Sequence, residues 1–268
     1  MTKIVVTGIA GRMGQRLGSL TVEADDLFLV GGTEHEEHPS IGCDVGELLG
    51  KSNQDVEVSK NLEECIANAD VVIAFTSPEA TLRHAKICVD YGTAMVVGTT
   101  GFEPIQLENF KQIIAKIPCV FASNFSTAMN VLFQLVEQAA SQLGDDYDVE
   151  VIEMHHHFKV DAPSGSAITL GERAATGLGR NLSDEAVHGR QGVVGERSRK
   201  EIGMHAVRLG DVAGVHKVLF GAPGEYVELC HTATSRDAFA LGALRAARFI
   251  NCADTGLYSM VDVLQCEG

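Results

Sequence analysis

The chain of 268 residues has no tryptophan, and only 6% of it is aromatic. Such scarcity is ordinary for a Gly- and Ala-rich α/β enzyme. It also lacks paired cysteines: Cys43, Cys65, Cys88, Cys119, Cys230, Cys252 and Cys266 include no CxxC and are odd in number. That excludes a zinc ribbon and a complete disulfide frame, and it points to free thiols in a reducing cytoplasm. No apolar run is long enough to cross a bilayer, and no signal-peptide core precedes Lys3-Ile4-Val5-Val6. The expectation is a cytoplasmic protein without a membrane partner. Basic residues are few, 21 Lys and Arg against 36 Asp and Glu, for a net charge of −15. That balance argues against nucleic acid as a partner and requires any site for an anion to be locally positive. What is present is ample apolar material, 45% of the chain, enough for a folded core in about two domains.

The first segment follows one pattern from end to end. Lys3 to Thr7 is a β-branched run of the kind found in buried parallel strands, and Gly8-Ile9-Ala10-Gly11-Arg12-Met13-Gly14 follows at once. A helical repeat then runs to about Ala24, and a second apolar run, Leu27 to Gly31, leads into Thr33-Glu34. Gly8 permits a tight turn out of the strand, Gly11 lets backbone approach a pyrophosphate, and Gly14 lets the helix sit close on the sheet. The helix N-terminus offers N–H groups to phosphate, and an acid after the second strand accepts from ribose hydroxyls. The spacing is GxxGxxG rather than GxGxxG, so the reading rests on strand, loop, helix, strand and acid in order. His35 rather than Arg follows Glu34. A 2′-phosphate needs a nearby cation, so the cofactor, NAD(H) and/or NADP(H), tilts toward NADH.

Strands and helices go on alternating: Asp70–Phe75, a helix over 78–90 with Ala80, Leu82, Ala85 and Val89 inward, Ala94–Val97, a helix over 103–116, and Cys119–Ala122. Repeated βα units imply a Rossmann-like, doubly wound parallel sheet, whose ligands bind beyond the carboxyl ends of strands. Gly98-Thr99-Thr100 and Ala122-Ser123-Asn124-Phe125 stand at two such ends.

The second half concentrates chemistry in one stretch. A helix over 128–143 and a strand over 148–154 deliver His155-His156-His157-Phe158-Lys159-Val160-Asp161-Ala162-Pro163-Ser164-Gly165-Ser166, and a helix then runs to about Ala175. Proton donors and anion-binding groups are packed together there, and a helix N-terminus with serine hydroxyls and a glycine suits a carboxylate. Neighbouring strand residues point to opposite faces, so the three histidines do not converge on one ion without a turn, and no metal is expected. No Gly-x-Ser-x-Gly elbow supports a nucleophilic triad. A polar stretch over 188–201 reads as a mobile loop. Three β-rich runs near 202–209, 215–220 and 226–232 suggest an open sheet whose uncovered face is a natural oligomer surface, and a helix over 236–250 follows.

Glu150-x-x-Glu153-x-His155-His156-x-x-Lys159-x-Asp161-Ala162-Pro163-Ser164-Gly165 resembles the signature of the 4-hydroxy-tetrahydrodipicolinate reductase (dihydrodipicolinate reductase) family, and the likeness spans essentially the whole chain. Gly8 to Gly14, Gly98 to Phe102, Asn124-Phe125-Ser126 and Gly195-Glu196-Arg197 stand where that family has equivalents. The resemblance implies NAD(P)H-dependent reduction of a small cyclic dicarboxylate with loss of water, in lysine biosynthesis through diaminopimelate. It implies a homotetramer joined through the open sheet. It makes His155 the proton donor or acceptor and Lys159 the second proton donor. His156, Lys159, Ser164, Gly165 and Ser166 would hold the two carboxylates. Gly8, Ile9, Ala10, Gly11, Arg12, Met13, Glu34, His35, Gly98, Thr99, Thr100, Ala122, Ser123, Asn124 and Phe125 would hold the cofactor. Ser166 departs from the Thr of many members and keeps the hydroxyl; His35 departs from an Arg.

The expected organisation is a dinucleotide-binding domain over 1–126 with 236–268 packing back on it. An α+β substrate-binding and tetramerisation domain with an open mixed sheet takes 127–235. Substrate and cofactor on different domains imply a closure step. The alternatives are a non-catalytic NAD(H)-binding redox sensor and a metal-dependent hydrolase that uses the histidine run.

Overall fold

The structure is a computed structural model that describes residues 1–266, so the last two positions of the expected 236–268 return segment lie outside the described residues. The chain forms two compact units, Met1–Thr127 with the residues from Arg236 onward, and Ala128–Ser235. In chain order the elements are β1 (Thr2–Thr7), α1 (Arg12–Glu23), β2 (Leu27–Thr33), α2 (Val45–Leu48), β3 (Val58–Ser59), β4 (Val71–Ala74), α3 (Pro78–Tyr91), β5 (Ala94–Val97), α4 (Pro104–Ile114), β6 (Pro118–Phe121), α5 (Thr127–Leu143), β7 (Asp148–His155), α6 (Gly165–Gly177), α7 (Leu182–Glu185), β8 (Ala186–His188), β9 (Ile202–Arg208), β10 (Gly214–Ala222), β11 (Glu225–Ala233), α8 (Asp237–Ile250), β12 (Gly256–Tyr258) and α9 (Met260–Gln265).

The first unit is a seven-stranded sheet in the order β12-β6-β5-β4-β1-β2-β3, parallel throughout. Strands β4 and β5 are apolar at every position, and β1 is apolar from Ile4 to Val6, because helices cover both faces. Ile4, Val6, Ile73, Val96 and Val120 point to one face, against Leu17 of α1 and Ala243, Leu244 and Ala247 of α8. The alternate residues Val5, Val72, Met95, Val97 and Cys119 point to the other, against Ala85 and Cys88 of α3 and Phe110 and Ile114 of α4. The chain thus forms the expected doubly wound sheet.

Helix α3 shows how local signals set its limits. Ser77 caps it by accepting from the Ala80 N–H, Pro78 occupies the first turn, and Gly92 ends it at φ 68°. Its fully buried positions are Thr81, Ala85 and Cys88; of the expected Ala80, Leu82, Ala85 and Val89 only Ala85 is among them, and Leu82 and Val89 are partly buried against the same core. The inward stripe is rotated because the Thr81 hydroxyl finds a buried partner in Thr99 at 2.7 Å, which leaves Leu82 and Val89 on its flank. The two- and three-residue strands β3, β8 and β12 escaped the sequence reading, being too short to show a period.

The second unit is a five-stranded mixed sheet, β11-β10-β7-β9-β8, with β7 antiparallel to β10 and parallel to β9. Helices α5 and α6 cover one face, where Met129, Phe133, Val136, Leu170 and Ala174 meet Val149, Val151, Met204, Val218 and Phe220. Strand alternation leaves Ile152, Met154 and Leu219 half-buried on the opposite face. The stretch expected as a mobile loop is irregular backbone pinned by ion pairs. Arg190 reaches Glu150 at 2.6 Å and Glu201 at 2.5 Å, and Arg197 reaches Asp148 at 2.8 Å and Glu150 at 3.0 Å.

Candidate active site

The glycine loop between β1 and α1 is shaped by close backbone contacts. Gly8 has φ 68°, and the N–H groups of Gly8 and Ile9 both donate to the Thr33 carbonyl at the end of β2. A Cβ on Gly14 would lie 2.0 Å from the Gly8 carbonyl oxygen, so only glycine fits where the helix starts against the loop. Gly11 is the helix N-cap and has no side chain to fill the N-terminus, and Arg12 and Met13 open the first turn. Glu34 accepts from the Ala10 N–H at 3.2 Å, which brings the acid after β2 onto the glycine loop. This is a cradle a pyrophosphate and ribose fit: backbone N–H groups at a helix start and one acid beside them. Ile9 itself is fully buried in the core, so only its backbone belongs to the cradle.

A cavity of about 420 Å³ opens from this loop and is lined by Gly8, Glu34, His35, Lys60, Arg83 and His84, among others. Lys60, Arg83 and His84 were not singled out from sequence, and nothing local marks them; Lys60 arrives because β3 pairs with β2 just before it. Lys60 Nζ lies 3.1 Å from Glu36. Burial, then the Arg83 charge, lowers the His84 pKa to about 4, so His84 is neutral near pH 7.

The two other strand-end loops are placed differently. A Cβ on Gly98 would strike the Phe75 ring at 2.1 Å. Thr99 is 2% exposed, and its hydroxyl bonds that of Thr81 and accepts from the Thr76 N–H at 3.2 Å, so Thr99 holds the loop while Thr100 is exposed. After β6, Asn124 accepts from the Ser126 N–H at 2.8 Å, and Phe125 packs on Phe75 with ring centres 5.4 Å apart. Ala122 and Ser123 retain exposure at the same loop.

In the second unit, strand period and register assemble the chemistry. Glu153 and His155, two apart on β7, both face the helix-covered side, and pairing sets His216 of β10 opposite Glu153 and Arg208 of β9 beside His155. His155 Nδ1 lies 2.6 Å from a carboxylate oxygen of the fully buried Glu153. The Arg208 guanidinium grips both oxygens of that carboxylate at 2.9 and 3.0 Å. Burial lowers the His155 pKa, while Glu153 pulls it back up and Lys159 and Arg208 add to the lowering. Burial would raise the Glu153 pKa, but Arg208 and then His155 outweigh it and keep the carboxyl ionised.

Ser164 caps α6 and accepts from the Ala167 N–H at 3.2 Å; its hydroxyl also lies 3.2 Å from His216 Nε2. At 2% exposure its role in the structure is the cap. Gly165 and Ser166 then present the outward N–H positions of the helix start, with open space beside Gly165. Lys159 Nζ pairs with Asp161 at 2.8 Å, one turn from the strand end. The three histidines diverge: His155 is buried against Glu153, His156 is half-buried, and His157 is exposed with its ring on the Gly210 carbonyl at 3.0 Å. Arg208 and His216 were missed in the sequence because they come from distant strands; Glu153 stood in the signature without a role, and its place two residues before His155 on the same strand face is the signal that could have found it.

Sequence models for the dihydrodipicolinate reductase N-terminus and C-terminus match residues 2–125 and 128–264. The chain belongs to the dihydrodipicolinate reductase family. It is 49% identical over 264 residues to the 4-hydroxy-tetrahydrodipicolinate reductase of Anaeromyxobacter sp. (strain Fw109-5). It is 45% identical over 264 residues to that of Syntrophus aciditrophicus (strain SB). Each alignment covers 98% of both chains. Among solved structures it resembles the dipicolinate-bound dihydrodipicolinate reductase from Paenisporosarcina sp. TG-14, with a TM-score of 0.75, 26% identity and 97% of each chain covered. Dihydrodipicolinate reductases are oxidoreductases that bind a nicotinamide cofactor.

Proposed function

We infer that the chain is a working 4-hydroxy-tetrahydrodipicolinate reductase in which His155 and Lys159 handle the protons. The observation that carries this is the full-length match, which includes both the cofactor-binding half and the half that bears the signature. The reaction takes 4-hydroxy-tetrahydrodipicolinate to tetrahydrodipicolinate with loss of water, in lysine biosynthesis through diaminopimelate. The bound nicotinamide supplies a hydride to the ring. The protein's share is to bind two carboxylates and move protons: one is taken up where the hydride does not go, and one is put on the hydroxyl that leaves as water and recovered from the ring as the double bond forms.

His155 suits the proton role because it is buried, ionisable and backed by a carboxylate. Lys159 brings a second proton and a positive charge to a dianion. His156 and the Gly165-Ser166 backbone at the start of α6 complete the carboxylate grip, with Ser164 shaping that helix start. The Paenisporosarcina enzyme binds dipicolinate, a cyclic dicarboxylate, and the same chemistry is proposed for this site. Gly8 to Met13, Glu34, Gly98 to Thr100 and Ala122 to Phe125 are proposed to hold the cofactor. NADH is the preferred form, because Glu34 meets the ribose end where a 2′-phosphate would face its charge. Lys60 and Arg83 line the same cavity and keep NADPH usable.

A cytoplasmic homotetramer is proposed. The tetramer joins through the open sheet, where Tyr226 of the edge strand β11, paired with Gly221 on the face opposite Phe220, is 69% exposed. The test is initial rate with NADH and NADPH at matched concentration, in wild type and in the His155→Ala, Lys159→Ala double variant. Substrate-dependent oxidation that is faster with NADH, and a loss of roughly 10²-fold or more in the double variant, is expected. Cofactor binding without turnover would mark a sensor instead.

A further inference from the structure

The carboxylate of Glu153 is completely buried and fully occupied. One oxygen takes His155 Nδ1 at 2.6 Å and Arg208 Nη1 at 2.9 Å. The other takes the Ser164 N–H at 3.1 Å and Arg208 Nη2 at 3.0 Å. A carboxylate offers about four lone-pair directions, and all are used by this chain. Glu153 therefore has no lone pair left for a substrate proton and is not the reacting base.

The same geometry settles which nitrogen of His155 carries the hydrogen. An ionised carboxylate only accepts, so the hydrogen on the 2.6 Å line belongs to Nδ1. In the neutral ring Nε2 is then the acceptor, and in the imidazolium it carries the exchangeable proton. Nε2 lies beside Gly214, where an added Cβ would come within 3.2 Å, so glycine keeps that side of the ring clear.

We propose that Glu153 is the positioning residue for proton transfer: it locks His155 with Nδ1–H inward and Nε2 presented for exchange, and with its second oxygen it ties the Ser164 cap of α6 to the same frame. This rests on His155 being the proton-handling residue proposed above. One buried group thereby sets the distance between the proton donor and the helix start that grips carboxylate. Arg208 keeps Glu153 ionised, and a further contact, from Nη2 to the Asp161 carbonyl at 2.5 Å, fastens the intervening turn.

The charges facing His155 are Glu153 on its own strand, Lys159 and Arg208; His216 of β10, held near a pKa of about 3 by burial and then by the His155 charge, stays neutral beside it. Only Glu153 favours the imidazolium. Reduction draws a proton from that form, so activity falls as pH rises through the His155 pKa. In Glu153→Gln the favourable charge is gone while Lys159 and Arg208 remain. The alkaline limb of kcat/KM should move to lower pH by about one unit or more, and kcat should fall about 10²-fold. KM for the nicotinamide cofactor should hold.

Because the variant risks misfolding, the deciding measurement uses wild-type protein. Histidine nitrogen NMR, with the His155 signal assigned by its loss in His155→Gln, is expected to show the Nδ1–H tautomer above the titration. An Nε2–H tautomer overturns the proposal, as does a folded Glu153→Gln enzyme whose alkaline limb has not moved. The tautomer is read without turnover, so a failure of the activity assignment is distinguishable from a failure of this one.

Discussion

Replacing Ser164 with alanine tests the site at the point where folding and chemistry share an atom. Its hydroxyl accepts from the Ala167 N–H and bonds His216 Nε2, both at 3.2 Å. Loss of an N-cap oxygen costs about 1 kcal/mol, in a range of roughly 0.5–2. The second loss is larger than a surface bond, because His216 is 3% exposed and its Nδ1 already has no partner among the described residues. With Ser164 gone, both ring nitrogens are buried and unsatisfied, at about 1–3 kcal/mol for the newly orphaned one. The sum is roughly 2–4 kcal/mol, read as a fall in the urea midpoint at constant slope. Ser164→Thr keeps the hydroxyl and should recover most of it. The His216 share is isolated by a double-mutant cycle with His216→Leu: the pair should be coupled by about 1 kcal/mol or more. Strict additivity, or a Ser164→Ala cost below about 0.5 kcal/mol, would refute the reasoning. In the same variant dipicolinate affinity should drop, because the start of α6 loses its anchor.

Other outcomes follow from the same structure. Gly14→Ala drives a Cβ to 2.0 Å from the Gly8 carbonyl oxygen; it should cost about 1–3 kcal/mol by overpacking and weaken cofactor binding in a fluorescence titration while dipicolinate binding holds. Lys60→Ala with Arg83→Ala removes two cations from the cavity beside Glu34, so the Kd for NADPH should rise more than that for NADH. Burial opposes ionisation of Glu150, but hydrogen bonds from Arg190, His205 and Arg197 outweigh it and hold the pKa at about 2. With the folded value depressed, that stability is present above the unfolded value near 4.5 and is lost as pH falls toward 2. Wild-type protein should lose more stability than Glu150→Gln across that window in pH-dependent urea melts, and parallel losses would contradict the network.

The parts legible in sequence were those written in local runs. Strand β1, the glycine loop and Glu34 follow one another closely, and β7 runs straight into the histidines, so period and order were enough. The inward face of α3 was misjudged because a buried threonine pair outweighed the apolar pattern. Arg208 and His216 could not be found locally. They reach His155 only through the pairing of β7 with β9 and β10, which no spacing within the signature encodes. The stretch over 188–201 looked mobile because it is polar and rich in glycine and arginine; Arg190 and Arg197 are instead held by Glu201 within the stretch and by Glu150, about 40 residues before Arg190.

The first unit is discontinuous in the chain, and this bears on the order in which the molecule is built. Helix α8 brings Ala240, Ala243, Leu244, Ala246, Ala247 and Ile250 into the core of that unit, and β12 completes its sheet against β6. A ribosome delivers these pieces only after all of Ala128–Ser235 has emerged. The second unit, begun later, has its whole core available first, while the nascent glycine loop waits on a sheet with one bare edge and one uncovered patch. Domains tend to fold as units as they are synthesised, so here the inserted unit should reach protease resistance before the unit that starts the chain.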